Sequence, residues 1–274
     1  MTEDWRLLID GPAPGAWNMA VDEAIFRAVE ASPGPPTLRL YRWAPPAVSL
    51  GFGQSSASSV NPDLLAAEGI DLVRRPTAGK AVLHDDEVTY SLAARHGAFP
   101  GWQDLLEVYR TVTEAFAVGL GKLGLAAALV PRKPGSLRAR TPVCFAVPAS
   151  YELMVAGRKV LGSAQRRSRS AFLQHGSLPL TLDLHLLYRC LHPEEKEDGR
   201  EDALIARWRG EMAGLSEVAG RRLGWERVAS ALVQGVEGHL GVTLKEGKLS
   251  LEESALAESL AAEKYADPAW THRR

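Results

Sequence analysis

The chain has 274 residues, 46% of them apolar, and a formal charge of −1 from 32 basic and 33 acidic side chains. That is enough for one large domain, or one domain with a small appendage, around a sizeable core, and near-neutrality speaks against a general nucleic-acid binder. No apolar run approaches the ~20 residues of a membrane span. The acidic start Met1-Thr2-Glu3-Asp4 lacks a signal peptide's basic and apolar regions, and two cysteines make no disulfide framework. A reduced, soluble, cytoplasmic protein is expected.

Trp5–Ile9 reads as a short strand ended by Asp10-Gly11-Pro12. Asn18–Phe26 reads as an amphipathic helix with Met19, Val21, Ile25, Phe26 and Val29 largely on one face. Thr37–Trp43 alternates like a strand, and Ala47–Gly51 is a second, running into the tight loop Gly51-Phe52-Gly53-Gln54. Asn61–Glu68 is a short helix with Asn61 as N-cap and Pro62 in its first position. Asp71–Arg75 is a strand leading into Pro76-Thr77-Ala78-Gly79-Lys80, and Ala81–His84 and Val88–Leu92 are strands about the turn Asp85-Asp86-Glu87. Asp104–Gly119 carries Leu105, Leu106, Tyr109, Val112, Ala115 and Phe116 at helical spacing, and Pro131–Pro142 is a basic surface loop. Ser150–Val155 and Lys159–Gln165 flank Ala156-Gly157 as a hairpin, and Phe172–Leu178 is another strand. From Asp183 the pattern turns helical, interrupted by a charged loop over His192–Asp202, with amphipathic helices at Glu226–Leu240 and Leu251–Tyr265. The order predicts an α+β fold, a mixed sheet with hairpins flanked by helices.

Cys144 stands at the edge of the basic loop. It reads either as a nucleophile within reach of substrate or as a small buried apolar residue, the commoner fate of a free cysteine. A thiol near pKa 8.5 is only a few per cent ionised at pH 7, so a nearby cation would help, and Lys159 in the following hairpin is a candidate. Cys190 shares a helical face with Leu184, Leu187 and Leu191 and reads as core. His175 is either an acid–base group or a structural or substrate-positioning residue. His84-Asp85-Asp86-Glu87 resembles metal ligands, but neighbours on a strand face opposite ways, so no metal site is expected. Gly51-Phe52-Gly53 is too short for a dinucleotide fingerprint, and Gly79-Lys80 lacks phosphate-loop spacing. Arg74-Arg75-Pro76-Thr77-Ala78-Gly79-Lys80 reads equally as an anion-binding loop, for a phosphate, a phosphopantetheine arm or an acidic partner, and as a solvated basic loop.

Several segments together resemble the lipoate-ligase and octanoyltransferase family, which shares the biotin/lipoate protein ligase-like catalytic fold. They are Asn18-Met19-Ala20-Val21-Asp22-Glu23-Ala24, Ser49–Gln54, Val73–Leu92, Gly157–Arg166 and Gln174–Leu178, in family order over roughly Trp5 to Leu180, with Lys264-Tyr265 and Trp270-Thr271 near the C-terminus. The resemblance implies a catalytic domain over residues 1–248, its core about 32–248, and a helical tail over 249–274. Within the family, ligases activate free lipoate with ATP, whereas transferases move octanoyl from acyl carrier protein through a cysteine. Cys144-Phe145 ahead of Gly157-Arg158-Lys159 matches the branch of octanoyltransferases acting on the glycine-cleavage H protein, the M-type.

The resemblance therefore implies Cys144 as the acyl-thioester nucleophile and Lys159 as the group lowering its pKa. It implies Arg75, Gly79, Lys80, His84, Gly162, Ser163, Ala164 and His175 as substrate-binding residues. Octanoyl-acyl carrier protein would be the donor and the H protein or another lipoyl domain the acceptor. The chain would act as a monomer, with no cofactor, metal, nucleic acid or membrane. The rival readings are an amidotransferase drawing octanoyl from the H protein, an ATP-dependent lipoate ligase, and a non-catalytic binding module. One departure stands out: the family's Thr-Gly-Gly-Arg loop here reads Thr77-Ala78-Gly79-Lys80. It loses a bidentate guanidinium and sets an alanine where a left-handed backbone is in doubt.

Overall fold

The computed structural model describes residues 3–130, 151–191 and 201–273. Cys144 and the basic loop 131–142 lie outside the described residues, as does most of the charged segment 192–202.

The elements run β1 (Glu3–Ala13), α1 (Gly15–Ala31), β2 (Thr37–Trp43), β3 (Ala47–Leu50), α2 (Pro62–Ala67), β4 (Asp71–Arg74), β5 (Val82–His84), β6 (Glu87–Arg95), α3 (Leu105–Lys122) and β7 (Ala127–Val130). They continue with β8 (Glu152–Val155), β9 (Arg158–Lys159), β10 (Gly162–Arg167), β11 (Ala171–Pro179), α4 (Leu184–Cys190), α5 (Glu201–Glu211), α6 (Leu215–Val218), α7 (Trp225–Leu240), β12 (Val242–Glu246), α8 (Leu251–Leu260), a π-helical turn (Ala261–Tyr265) and α9 (Pro268–Thr271).

The main sheet is six-stranded and mixed, in the order β10-β11-β6-β2-β1-β12. β1 pairs in parallel with both β2 and β12, while β2, β6, β11 and β10 alternate antiparallel. Two three-stranded sheets, β4-β3-β5 and β7-β8-β9, complete the strands.

The starts of several helices follow from their capping residues. Asn61 Oδ1 accepts from Leu64 N at 3.2 Å, Asp104 accepts from Leu106 and Glu107 N, and Ser250 with Glu253 closes a capping box. Pro14, which precedes α1, has no side chain to cap it, and Asp71 Oδ2 on β4 accepts from Gly15 N at 3.1 Å instead.

One core lies between the main sheet and α3 with α7, built on residues such as Leu40, Tyr90, Phe116, Phe172 and Leu232. A second joins Val48, Leu50 and Leu83 to α4 and α5 and contains Cys190. Cys190 is fully buried, as its helical face predicts, and burial pushes its thiol up to about 11. A third wraps α1, whose Met19, Val21 and Phe26 pack with Leu173, Ala257, Leu260 and Tyr265. The C-terminal helices thus cover α1 directly.

The predicted hairpin at Ala156-Gly157 forms, with both turn residues at positive φ (50° and 76°), the geometry of a tight two-residue loop. Its second arm differs from the single strand Lys159–Gln165 that the sequence suggests. β9 ends at Lys159 and stays with β8, whereas β10 starts at Gly162 and joins the main sheet against β11. The apolar pair Val160-Leu161 is buried at the crossover, which carries the chain from one sheet to the other.

Candidate active site

Where β6, β11 and β10 meet β3 and β5, a partly open cavity forms. Gly162, Ser163 and Ala164 of β10, His175 of β11, His84 of β5 and Arg75 line it, so six of the eight expected substrate-binding residues converge on one cavity. Met19, Trp43 and Val82 supply apolar wall that the sequence did not single out. The Trp43 ring stacks on His84 with centroids 4.1 Å apart. Ser163 Oγ shares a 2.9 Å hydrogen bond with the buried Tyr90 hydroxyl, which also accepts from Gln174 Nε2. Burial pushes the Tyr90 phenol up to about 12, so it acts as a neutral hydrogen-bonding group.

Arg75 is buried, and each of its N–H groups has an acceptor. Nε reaches Thr77 Oγ1 (3.2 Å), Nη1 reaches Ser49 O and Oγ (2.9 and 3.2 Å), and Nη2 reaches the carbonyls of Ala78 and Lys80 (3.1 and 2.7 Å). The guanidinium therefore ties down the loop after β4. Gly79, outside the cavity lining, carries the loop's positive φ of 115°, and a Cβ there would fall 2.6 Å from Arg75 Nη2. The conformational demand thus falls on Gly79, and Ala78 is not among the positive-φ residues. Lys80 is half-exposed at the loop's end.

Both histidines stand on buried carboxylates. His175 Nδ1 donates to Asp22 Oδ2 at 3.0 Å, and its Nε2 faces Thr77 Oγ1 at 2.7 Å. His84 Nδ1 lies 2.8 Å from Glu87 Oε1, and its Nε2 faces Ser49 Oγ at 2.8 Å. Two members of His84-Asp85-Asp86-Glu87 thus converge, contrary to the strand-alternation argument, because the chain bends at Asp85-Asp86 as it passes from β5 in one sheet to β6 in another, bringing His84 and Glu87 together. No group of three His, Cys, Asp or Glu among the described residues could hold a metal ion.

Asp22 has no exposed surface and also accepts from Arg39 Nη1 (2.8 Å), Ser91 Oγ (2.7 Å) and the Tyr41 hydroxyl (3.0 Å). Burial alone would raise its pKa. The His175 hydrogen bond, the Arg39 charge and the Ser91 hydrogen bond outweigh this and hold the carboxyl below its ordinary value. For His175 burial dominates over Asp22 and lowers the pKa, which favours the neutral ring.

Lys159 is buried on β9, three residues before the cavity wall begins at Gly162, and its Nζ pairs with Glu152 Oε1 at 2.8 Å. Its carbonyl accepts from Ala213 N, which anchors it from the helical side.

Arg74, also buried, points away from the cavity. Its guanidinium donates to the carbonyls of Gly51, Gln54 and Thr271, and Trp270 Nε1 donates back to Arg74 O. The C-terminal segment therefore holds the base of the loop after β4, Arg75 to Lys80. Nearby, Glu23 binds Lys264 and the Tyr265 hydroxyl, so the family-like tail residues meet the family-like segment of α1.

A largely apolar cavity walled by an antiparallel sheet edge and bordered by a basic loop, on this mixed-sheet topology, defines a lipoate-ligase-type catalytic domain. The structure superposes on a bi-partite lipoate protein ligase from Thermoplasma acidophilum with a TM-score of 0.81 and 26% identity, covering 98% of this chain and 96% of that one. The chain belongs to the family of the lipoyl protein ligase A/B catalytic domain, which it matches over residues 14–237. Among its relatives are proteins named Octanoyltransferase LipM from Symbiobacterium thermophilum (40% identical, 100% of both chains) and Kyrpidia tusciae (41% identical, 99% of this chain and 100% of the relative).

Proposed function

We propose that this protein is an octanoyltransferase. It moves octanoyl from octanoyl-acyl carrier protein to a lysine of a lipoyl domain, that of the glycine-cleavage H protein, through a thioester on Cys144. The observation that carries the reading is the full-length similarity to octanoyltransferases. The cavity supports it. Its wall is largely apolar, where each buried methylene contributes about 0.8 kcal/mol. The guanidinium that lines it has every N–H engaged within the protein, so it offers no ready donor to the carboxylate of a free fatty acid.

The chemistry runs in two steps. The Cys144 thiolate attacks the thioester carbonyl carbon, and the donor's thiolate leaves and takes a proton. The acceptor lysine's ε-amine then attacks the new thioester, an amide forms, a proton is lost and the Cys144 thiolate is regenerated. Both steps exchange or consume a thioester, so ATP is not required. Lys159 favours the thiolate by its charge, and Glu152 fixes its ammonium. Gly79, Lys80, Gly162, Ser163 and Ala164 border the path of the acyl group.

Incubation with octanoyl-acyl carrier protein followed by mass spectrometry tests this. An octanoyl adduct on Cys144, absent in Cys144→Ser, is expected without ATP. Transfer that persists in Cys144→Ser, or that requires ATP and free octanoate, overturns it. Supplying octanoylated H protein as the donor separates the amidotransferase. Lys159→Ala should shift the pH midpoint of Cys144 alkylation upward, and an unchanged midpoint removes Lys159 from its role.

A further inference from the structure

Asp22 and Glu87 lie behind the cavity and touch no space that a substrate would occupy. Each nevertheless begins a chain of hydrogen bonds that ends on the same side chain. Asp22 Oδ2 accepts from His175 Nδ1, and His175 Nε2 meets Thr77 Oγ1, which accepts from Arg75 Nε. Glu87 Oε1 accepts from His84 Nδ1, and His84 Nε2 meets Ser49 Oγ, which accepts from Arg75 Nη1.

Donor and acceptor logic orients both chains. Arg75 only donates, so each hydroxyl accepts from it and has one proton left to give. With the carboxylates holding the Nδ1 protons, each Nε2 is the acceptor for that hydroxyl proton. On the Glu87 side the logic closes independently. Trp43 Nε1 donates to Thr89 Oγ1, so Thr89 must donate to Glu87 Oε1, while Ser177 donates to Oε2. Every proton in the array has an acceptor only if both rings are neutral and protonated on Nδ1. An imidazolium at either position leaves a hydroxyl proton without a place in a buried site.

We propose that Asp22 and Glu87 are positioning residues for octanoyl transfer: through two carboxylate–imidazole–hydroxyl chains that meet on Arg75, they fix the guanidinium lining the cavity and the loop it ties down. Arg75 in turn fastens the carbonyls of Ala78 and Lys80, so the shape of the loop is set from behind the sheet. This rests on the transferase reading given above.

The wiring and the role are tested separately. Ring-nitrogen NMR of the full-length protein at pH 7 should show His84 and His175 protonated on Nδ1, with an unprotonated, hydrogen-bonded Nε2. An Nε2–H tautomer or an imidazolium at either ring overturns the array. In single turnover with octanoyl-acyl carrier protein, Thr77→Val should slow octanoyl-enzyme formation by about tenfold, the scale of one lost buried hydrogen bond expressed at the transition state. Thr77→Ser, which keeps the hydroxyl, should restore most of the rate. Ser49→Ala reports on the second chain if Thr77→Val does not fold. A wild-type rate in folded Thr77→Val or Ser49→Ala overturns the positioning roles, whereas no octanoyl adduct on the wild-type protein overturns the transfer reading itself.

Discussion

Replacing Asp22 with asparagine probes a fully buried carboxylate that accepts four side-chain hydrogen bonds. The side chain keeps its shape but loses its charge, and one of its two acceptor positions becomes a donor. With the amide oxygen toward Arg39 and Ser91, the NH₂ faces Tyr41 and His175. Tyr41 can turn its hydroxyl to accept. His175 must move its proton to Nε2, which then points at Thr77 Oγ1, already an acceptor from Arg75. Arg39, fully buried, loses its buried counter-charge but keeps Asp10, 35% exposed, and the carbonyl and side chain of Asn18. Removing one member of a buried pair costs 3–5 kcal/mol, and these retained contacts argue for the low end, about 3 kcal/mol. With an unfolding entropy of about 2.1 cal/mol/K per residue, 274 residues convert that into a fall in Tm of about 5 °C. Scanning calorimetry at pH 7 is the assay, with Asp10→Asn as a control expected to lose less than about 1 kcal/mol. If Asp22→Asn melts within about 1 °C of the wild type, the buried carboxylate is not the ionised hub described here.

The acid limb of stability has a definite sign. In Asp22, Glu23 and Glu253 burial alone would raise the carboxyl pKa, but His175 with Arg39, Lys264 with Tyr265, and Arg6 respectively hold it below the ordinary 3.8 or 4.5. Their contribution is present above those unfolded values and lost as pH falls from them through the lower folded values, so the urea midpoint should drop most steeply below about pH 4. The buried, neutral His175 adds a shallower loss as pH falls below its ordinary 6.5, so a midpoint that stays level from pH 7 to about pH 3 would contradict both. Gly235→Ala should destabilise, although alanine normally improves a helix by about 1 kcal/mol. Its Cβ would sit 2.3 Å from Ala115 O and 2.6 Å from Gly119 N where α7 crosses α3, and overpacking of that kind costs about 1–3 kcal/mol. A raised Tm would refute the close crossing. Gly51→Ala would place a Cβ 2.0 Å from Gly79 O and should lower transfer by displacing the Arg75-to-Lys80 loop, and unchanged kinetics would show that loop to be indifferent to its backing. Alkylation of the native protein at pH 8 should leave Cys190 unlabelled while denaturant exposes it, and rapid native labelling would contradict its burial.

Much of this architecture is legible in the chain because local chemistry decides it. Asn61-Pro62 fixes the start of α2, alternation marks Thr37–Trp43, and Ala156-Gly157 bends the hairpin. The residues assigned to the substrate site by resemblance gather because β10 and β11 pair in register, Ala164 opposite His175. What stayed hidden depends on pairing across distance. Asp22 reads as one more residue of an amphipathic helix until Arg39, Ser91 and His175 surround it from β2, β6 and β11. Ser49 and Thr77 read as strand and loop polar residues respectively until two histidines point at them. β12 is a short strand whose partner, β1, is more than two hundred residues earlier, and no local pattern announces such a pairing. The break between β9 and β10 is likewise invisible to periodicity, since Lys159 to Gln165 alternates acceptably as one strand.

The grip of the C-terminal segment on Arg74 has a consequence for how the protein is made. Thr271, whose carbonyl receives the Arg74 guanidinium, is synthesised 197 residues after it. β12, which completes the edge beside β1, is also a late arrival. At about 5–20 residues per second of translation, the loop after β4 waits of order ten seconds or more with its buried arginine held by the Gly51 and Gln54 carbonyls but not yet by that of Thr271. The pocket is therefore finished from the far end of the chain. A ribosome-bound fragment stopping before α9 should hold the sheet without the competent loop, which keeps acyl handling out of reach of an unfinished enzyme.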